Sequence, residues 1–262
     1  MENFLTAFLL ASLVSVISFR FGFLTFSAAA AAFVFGIIIF GLGGLQFSIP
    51  LLLFFFSSSL LSKLRYARNK EVETYFEKTG ARDYKQVIAN GLIPSLIVCL
   101  GSVYNDGIYF LVYCVSIASV CADTWGTEIG TLRKAVTYNI LNFKRIEQGM
   151  SGGISVIGTF GSLIGAAIIS FSSLFWAGFN INIFLSIVIA GFGAGIIDSI
   201  LGASLQIQYK CNECGKTVEK EKHCGVSTQS EKGFYFFTND VVNLICSISG
   251  ALILIVIYNL FL

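Results

Sequence analysis

The chain has 262 residues, of which 55% are hydrophobic and only 12% are charged. An ordinary soluble domain has about twice that charged fraction, so the composition excludes one. The net charge of +2 gives no indication of nucleic-acid binding. We therefore expect an integral membrane protein whose surroundings are a lipid bilayer, with no nucleic-acid partner.

Eight apolar segments approach the length of a membrane-spanning helix, which needs about 20 apolar residues. They lie at about residues 3–19, 22–42, 47–62, 87–104, 107–122, 153–176, 183–205 and 241–261. Only Arg20 separates the first two, so seven or eight spans remain open. The predicted fold is all-α, a polytopic transmembrane helical bundle that forms a single domain over residues 1–262.

The basic residues indicate the topology. All 17 Lys and Arg lie at Arg20 or in three hydrophilic loops, and two spans separate each group from the next. We place these loops at residues 63–86, 131–152 and 206–238. The positive-inside rule predicts that they face the cytoplasm from a cell membrane, with both termini outside. Residues 1–19 lack a basic n-region, so we expect no cleavable signal peptide.

Four carboxylates lie close to or inside apolar segments: Asp123, Glu128, Asp198 and Asp240. Ionisable groups at membrane depth cost about 2.5–3.5 kcal/mol each, so they are candidates for a functional site. Asp198 follows a long apolar run without a nearby cation. The alternative is that some of them snorkel or cap helices, and Asp240 in the run Thr238-Asn239-Asp240 also suits an N-cap.

The segment ADTWGTEIG contains two of these carboxylates, together with two hydroxyls and two glycines. In a regular helix Asp123 and Glu128 point about 140° apart, so they share a ligand only if Gly126 bends the helix. Asp123 and Thr127 share a face in either case. Carboxylates and hydroxyls near basic loops suit Mg²⁺ that bridges nucleotide phosphates.

The segment KRIEQGMSGGIS runs from a basic pair into the sixth span. Its glycines, at 149, 152 and 153, would let backbone N–H groups approach an anion in front of a helix N-terminus. Lys144 would then neutralise further phosphate charge. A flexible loop in which Ser151 caps the next helix is the alternative.

The segment TGARDYKQVIANG leads into the fourth span. Arg82 could grip a phosphate through two hydrogen bonds, and Asn90 would enter the membrane as an uncharged polar group. Loop cations otherwise only mark the cytoplasmic side, so both interpretations of Arg82 stay open.

Four residues form the pattern C-x2-C-x8-H-C in the last loop: Cys211, Cys214, His223 and Cys224. Four nitrogen and sulfur ligands suit tetrahedral Zn²⁺, and a reducing compartment disfavours disulfides. We expect a structural zinc ion that staples this loop. Unmetallated thiols are the alternative, because an adjacent His-Cys pair is less usual.

The motifs ADTWGTEIG, GMSGGISVIGT, GIIDSILGASLQ and TNDVVN follow one another between apolar spans. In this combination the chain resembles the membrane phytyl-phosphate kinase family of tocopherol biosynthesis and its uncharacterised transmembrane relatives. The resemblance covers roughly residues 63–261. Where that family commonly reads GTNGG, the chain has GMSGG, so Ser151 replaces an Asn. A weaker similarity links the pattern to CTP-dependent dolichol and phytol kinases.

The resemblance implies a Mg²⁺-dependent kinase that transfers a phosphoryl group from a nucleoside triphosphate to an isoprenoid monophosphate, such as phytyl or geranylgeranyl phosphate. CTP is one candidate donor. Asp123 and Asp198 would hold Mg²⁺, with Glu128 and Asp240 as further ligands. The implied nucleotide- and substrate-binding residues are Arg82, Asn90, Lys144, Gly149, Ser151, Gly152, Gly153 and Asn243.

Other interpretations remain open. A transporter or scramblase for an anionic lipid or small anion would use midplane carboxylates and broken helices, although the far face has no hydrophilic loops. A structural membrane protein whose zinc loop binds a partner is a third class. Gly191, Gly195 and Gly202 permit close approach of either a neighbouring helix or a lipid chain beside Asp198. The sequence indicates neither the isoprenoid length nor the oligomeric state.

Overall fold

The computed structural model describes residues 2–78 and 80–261 of the chain. Its helices are α1 (Glu2–Arg20), α2 (Phe26–Arg68), α3 (Tyr84–Tyr104), α4 (Ile108–Gly130), α5 (Val156–Ala177), α6 (Ile181–Ser204) and α7 (Asn239–Phe261). Within this part of the chain, the six helices from α2 to α7 are long and apolar enough to cross a membrane, and α1 contains a shorter apolar stretch, Phe4–Arg20. The predicted polytopic helical bundle is therefore confirmed.

Helix α2 has 43 residues and folds back on itself at Gly44. Gly44 has a φ of 63°, a backbone conformation that glycine adopts without steric cost. The ring of Phe55 consequently lies 6.4 Å from the ring of Phe23, which precedes α2. A straight helix would separate Phe26 from Phe55 by more than about 40 Å. The two arms of α2 therefore act as separate segments, and the described residues contain eight segments of the bundle.

Helix α4 lies at the centre of the bundle and packs against α2, α3, α5, α6 and α7. Tyr113 and Ile117 are fully buried there, and the Tyr113 hydroxyl donates to the Phe47 carbonyl at 2.5 Å. Glycines of α5 bring its backbone against α4: a Cβ on Gly165 would lie 2.9 Å from the Cys121 carbonyl oxygen. This packing fixes the end of α4, where Asp123 and Glu128 lie.

The hydrophilic loops contain short strands that the sequence did not predict. They are β1 (Thr137–Asn139), β2 (Arg145–Ile146), β3 (Gly153–Ile154), β4 (Gln208–Lys210), β5 (Thr217–Val218), β6 (Lys222–His223), β7 (Val226–Ser227) and β8 (Gln229–Lys232). They form antiparallel sheets in the orders β2-β1-β3 and β5-β4-β8, and a β6-β7 hairpin. Strands this short carry no apolar periodicity, so the sequence pattern does not reveal them.

The first loop is shorter than predicted. It covers residues 69–83 instead of 63–86, because α2 continues to Arg68 and α3 begins at Tyr84. Asp83 starts α3 through a capping box, in which its carboxylate accepts from the Gln86 N–H at 2.9 Å and Gln86 accepts from the Asp83 N–H at 3.1 Å. The charge of Lys63 and Arg65 suggested a loop, but both side chains tolerate a helix well.

Candidate functional site

A cavity of about 390 Å³ lies where the loop-bearing ends of the helices meet; we call it the polar cavity. Helices α2 to α7 and all three loops contribute to its lining. Ten of the predicted site residues line it: Arg82, Asn90, Asp123, Glu128, Gly149, Ser151, Gly152, Gly153, Asp198 and Asn243. Lys144 and Asp240 are not among its lining residues. The bundle thus brings together motifs that are far apart in the sequence.

Asp123 on α4 and Asp198 on α6 face each other, and their carboxyl groups are in direct contact. Gly191 allows α6 to approach α4, since a Cβ there would lie 2.9 Å from the Cβ of Ala118. Asp198 is buried, and its Oδ2 has no hydrogen-bond partner among the described residues. Two touching carboxylates repel when both are ionised, so the pair favours a bound cation or a shared proton.

Two amides add further oxygen atoms to the polar cavity. The Oδ1 atoms of Asn90 and Asn243 are buried and, within the described parts of the chain, accept no hydrogen bond. Unpaired buried oxygens are uncommon in folded proteins, because each costs the free energy of its lost hydration. Carboxylate and amide oxygens are the ligands that Mg²⁺ prefers, so this set of donors fits that ion.

The glycine segment 149–153 lies tightly against the end of α6. Gly152 has a φ of +76°, and a Cβ there would lie 2.3 Å from the Cβ of Ala203. The Gly152 carbonyl accepts from the Ile140 N–H at 3.0 Å, and the Gly153 N–H donates to the Met150 carbonyl at 2.9 Å. The segment is therefore an ordered part of the wall, unlike the flexible loop that the sequence left open.

Ser151 does not cap α5. That position is held by Ser155, whose hydroxyl accepts from the Gly158 N–H at 3.1 Å. The Ser151 hydroxyl instead donates to a carboxylate oxygen of Glu219, which comes from the Cys/His loop.

Glu219 is a site residue that the sequence analysis missed. It lines the polar cavity, is buried, and follows β5 directly. Burial, together with the nearby Glu77 carboxylate, raises the pKa of Glu219 to about 8. Burial also raises the pKa of Glu77, which lines the same cavity. Nothing in the local sequence marks Glu219, because it stands among charged loop residues and only the strand pairing turns it inward.

Glu128 has a different role from the one expected. Its Oε1 accepts from the Ser62 hydroxyl at 2.7 Å, and its Oε2 accepts from the Nε of Arg65. Arg65 is buried and also pairs with Glu73. Helix α4 runs without a break through Gly126, so Glu128 points toward α2 and away from Asp123. Both of its oxygens are bound by these partners, which makes Glu128 unsuited to hold a metal ion.

Asp240 and Lys144 also differ from expectation. Asp240 pairs with Lys78, because the 69–83 loop packs across the start of α7. Burial alone would lower the pKa of the Lys78 ammonium. Its contacts with Asp240 and Asp83 have a larger and opposite effect, so the pKa of Lys78 is raised. Lys144 is exposed on the turn between β1 and β2, where the β1–β2 pairing directs it away from the polar cavity.

Arg82 lies at the edge of the polar cavity. Its guanidinium is 5.7 Å from the centre of the Phe54 ring and 5.9 Å from that of Phe55. Its backbone is held by Phe23 and Thr25, through an N–H donated to the Phe23 carbonyl and a carbonyl that accepts from the Thr25 N–H. None of the ion pairs among residues 2–78 and 80–261 involves Arg82. Its charge is thus available to an anionic ligand.

The predicted cysteine and histidine ligands come together in the last loop. The ligand atoms of Cys211, Cys214, His223 and Cys224 all lie within 4.8 Å of one another. The Nδ1 of His223 is 3.4 Å from the Cys214 sulfur and 3.3 Å from the Cys224 sulfur. Tetrahedral bonds of about 2.3 Å to sulfur and 2.0 Å to nitrogen place ligand atoms about 3.5 Å apart. The cluster therefore fits Zn²⁺ with only small adjustments.

The α6 glycines contact protein, which decides between the two uses that the sequence left open. A Cβ on Gly191 would lie 2.9 Å from the Cβ of Ala118, and one on Gly202 would lie 3.0 Å from the Gly152 nitrogen. Gly191 and Gly202 therefore serve helix and loop packing.

Comparison with known proteins agrees with this architecture. A family model described as "Integral membrane protein DUF92" matches residues 9–251. Protein PGR of Arabidopsis thaliana is 26% identical over 277 residues, which cover 94% of this chain and 96% of that protein. Uncharacterized membrane protein MJ0933 of Methanocaldococcus jannaschii is 29% identical over 215 residues, which cover 82% of this chain and 77% of that protein.

A further relative is Protein VTE6, chloroplastic, of Arabidopsis thaliana, which is 23% identical over 238 residues. This match covers 88% of the chain and 64% of that protein. No solved structure matches the chain. Because the family match extends over nearly the whole bundle, the chain belongs to the DUF92 family of integral membrane proteins.

Proposed function

We propose that the chain is a membrane kinase that transfers a phosphoryl group from a nucleoside triphosphate to an isoprenoid monophosphate. The observation that carries this proposal is the polar cavity, where the Asp123–Asp198 pair, the glycine segment and Arg82 meet. The motif resemblance to phytyl-phosphate kinases and the similarity to Protein VTE6 support it. CTP is one candidate donor, and phytyl or geranylgeranyl phosphate is a candidate acceptor.

The reaction requires little covalent chemistry from the protein. An oxygen of the acceptor monophosphate forms a bond to the γ-phosphorus, the bond from that phosphorus to the β–γ bridging oxygen breaks, and the nucleoside diphosphate leaves. The acceptor is already an anion near neutral pH, so no general base is needed. The main obstacle is repulsion between two anions, and enzymes of this kind overcome it by positioning and charge neutralisation.

Each part of the polar cavity has a role in this scheme. Arg82 would hold the acceptor phosphate. The backbone N–H groups of Gly149 and Gly152, which donate no backbone hydrogen bond within the described chain, would hold the donor phosphates. Asp123 and Asp198, with the amide oxygen of Asn243, would hold Mg²⁺. When bound, that ion supplies positive charge to the phosphate oxygens. Ser151 and Glu219 would fix the glycine segment in its position.

The position of the polar cavity favours an enzyme over a transporter. Its lining comes from the loop-bearing half of the bundle, and the connections at the far end, near Gly44, Asn105 and Gly178, contribute no lining residue among those described. A translocation path needs access from both sides of the membrane. We further propose that the loop-bearing end faces the cytoplasm, where nucleoside triphosphates are available, and that Zn²⁺ at the Cys/His cluster is structural.

The test is a transfer assay with purified protein in detergent, Mg²⁺, geranylgeranyl phosphate, and CTP or ATP labelled on the γ-phosphate. Label should appear in the diphosphate, and Asp123→Asn should reduce the rate by about 100-fold or more. Asp106→Asn, which changes an exposed aspartate in the α3–α4 connection, is the matched control and should retain activity. Full activity of Asp123→Asn, or no transfer by the wild type from either nucleotide, would contradict the proposal.

A further inference from the structure

A second, smaller cavity lies between α1, the two arms of α2 and the first turns of α3. It has a volume of about 80 Å³, and we call it the apolar groove. Its walls are almost entirely aliphatic and aromatic, and they include Ala11, Val14, Ala32, Ile39, Leu51 and Phe55. Its chemistry is therefore the opposite of that of the polar cavity.

The two cavities meet at three residues that line both of them: Arg82, Gln86 and Asn90. Gln86 is held by its capping box with Asp83, and the buried Oδ1 of Asn90 has no partner among the described residues. Among the described residues that line the apolar groove, Arg82 is the one with a cationic side chain. A ligand with an anionic head and an apolar chain would satisfy both cavities at once.

The depth of the apolar groove suits a lipid chain. It extends from Ser18 and Leu24, at the loop-bearing end, to Ala11 and Ile39. The seven residues from Ser18 back to Ala11 correspond to about 10 Å along α1. This is about two thirds of the distance from the edge of the hydrocarbon core to its centre, which is about 15 Å. A chain that starts at Arg82 would thus pass into the bilayer interior.

We propose that the apolar groove binds the part of the isoprenoid chain next to the phosphate of the acceptor, with that phosphate at Arg82. This inference rests on the proposed function and identifies where its lipid substrate binds. Charge complementarity selects the occupant, because Arg82 has no carboxylate partner within the described chain and stands at the polar end of an apolar channel.

The first test maps the bound chain directly and needs no turnover. Purified protein is irradiated with a geranylgeranyl phosphate analogue that carries a diazirine near the phosphate end, and the labelled peptides are identified by mass spectrometry. Labels should fall in α1, α2 and the start of α3, and unlabelled geranylgeranyl phosphate should displace the analogue. Labels confined to α5 and α6 would overturn the proposal. Labels in the groove that geranylgeranyl phosphate does not displace would assign it to a bulk lipid chain and overturn it as well.

The second test fills the apolar groove. Ala32→Phe places a ring in it, whereas Val34→Phe adds the same ring on a lipid-facing position of α2 that is 55% exposed. Ala32→Phe should raise the KM for geranylgeranyl phosphate about tenfold or more, with the KM for the nucleotide unchanged. Val34→Phe should leave both constants unchanged.

An unchanged KM for geranylgeranyl phosphate in an active Ala32→Phe protein would refute the groove as the binding site. Absence of transfer in the wild type would refute the proposed kinase activity and leave the photolabelling result to decide about the groove. The two failures are therefore distinguishable. A thermal unfolding scan of each variant shows whether a loss of activity reflects a loss of fold.

Discussion

The carboxyl groups of Asp123 and Asp198 are in contact, although one belongs to α4 and the other to α6. Small residues where these helices pack, Ala118 and Gly191, let α4 and α6 approach closely. An ionised pair in a buried position is unfavourable without a counter-ion. The pair is therefore the part of the polar cavity most directly suited to a divalent cation.

We predict that the purified protein binds Mn²⁺, used as a paramagnetic substitute for Mg²⁺, and that both aspartates are required. Asp123→Asn and Asp198→Asn should each weaken Mn²⁺ binding by about tenfold or more, because each removes a charged ligand. Electron paramagnetic resonance of the free ion measures this. Asp106→Asn is the control, and equal Mn²⁺ affinity in all four proteins would exclude the aspartate pair as a metal site.

Gly152→Ala should damage the glycine segment far more than a glycine substitution in open space. A Cβ at Gly152 would lie 2.6 Å from the backbone of Ala203, so the segment must move away from α6. Gly22 has a similar positive φ, +66°, and nothing within 4 Å of an added Cβ, which makes Gly22→Ala the matched control. Both variants incur backbone strain of about 1 kcal/mol, but only Gly152→Ala should also weaken nucleotide binding, by about tenfold. Equal nucleotide affinities, measured with a fluorescent CTP analogue, would contradict a phosphate-binding role.

The buried Glu73–Arg65–Glu128 cluster should contribute strongly to stability. The Arg65 side chain is only 7% exposed, and Arg65→Met would leave two buried carboxylates without their cation. We expect the free energy of unfolding to fall by about 3–5 kcal/mol. Lys134→Met breaks an exposed pair with Glu71, where the Lys134 side chain is 85% exposed, and should cost at most about 1 kcal/mol. Unfolding in detergent mixtures measures both, and similar small losses would show that the cluster is not stabilising.

The sequence predicted the membrane segments because their length and apolar character alone identify them. The predicted segments 22–42 and 47–62 also left a short connection between them, where the structure has its reversal at Gly44. The sequence did not predict which charged side chains pair with each other. In the sequence Arg65 is one of many cations assigned to loops. Only the packing of α2 against α4 places it beside Glu128.

The location of the Asp123–Asp198 contact and of Glu219 depends on tertiary structure in the same way. A list of intramembrane carboxylates contains Asp123 and Asp198, but it does not indicate that they touch while Glu128 and Asp240 bind cations elsewhere. Glu219 reaches the polar cavity through the pairing of β4 and β5, which are strands of three and two residues. Such pairings depend on long-range contacts that local pattern does not encode.

The raised pKa of Glu219 predicts a specific pH dependence of stability. Its ordinary pKa is 4.5, and burial with the neighbouring Glu77 raises it to about 8 in the folded chain. Between these values the folded state keeps a proton that the unfolded state has released, so stability falls as pH rises through this window. Glu219→Gln has no carboxyl group to titrate at this position, so its stability should not fall in this way as pH rises. Its melting temperature should exceed that of the wild type by roughly 3 °C or more at pH 9, with a smaller difference at pH 5.

Glu147→Gln is the control for this prediction, because Glu147 is exposed in another loop. It should follow the wild type across the whole pH range. Parallel melting curves for Glu219→Gln and the wild type from pH 5 to pH 9 would show that Glu219 is not protonated in the folded protein at neutral pH.

The Cys/His cluster should contain one zinc ion per chain, as its four ligand atoms suggest. Elemental analysis of purified protein measures this directly. Cys214→Ser removes a ligand and should lose the metal, whereas Cys99→Ser changes a cysteine of α3 and should retain it.

Because the adjacent β5 leads into Glu219, loss of zinc should also loosen the contact between Glu219 and Ser151. Limited proteolysis should then cut within residues 206–238 in Cys214→Ser and not in Cys99→Ser. Metal-free wild-type protein with the same protease resistance as metal-loaded protein would show that the cluster does not staple the loop.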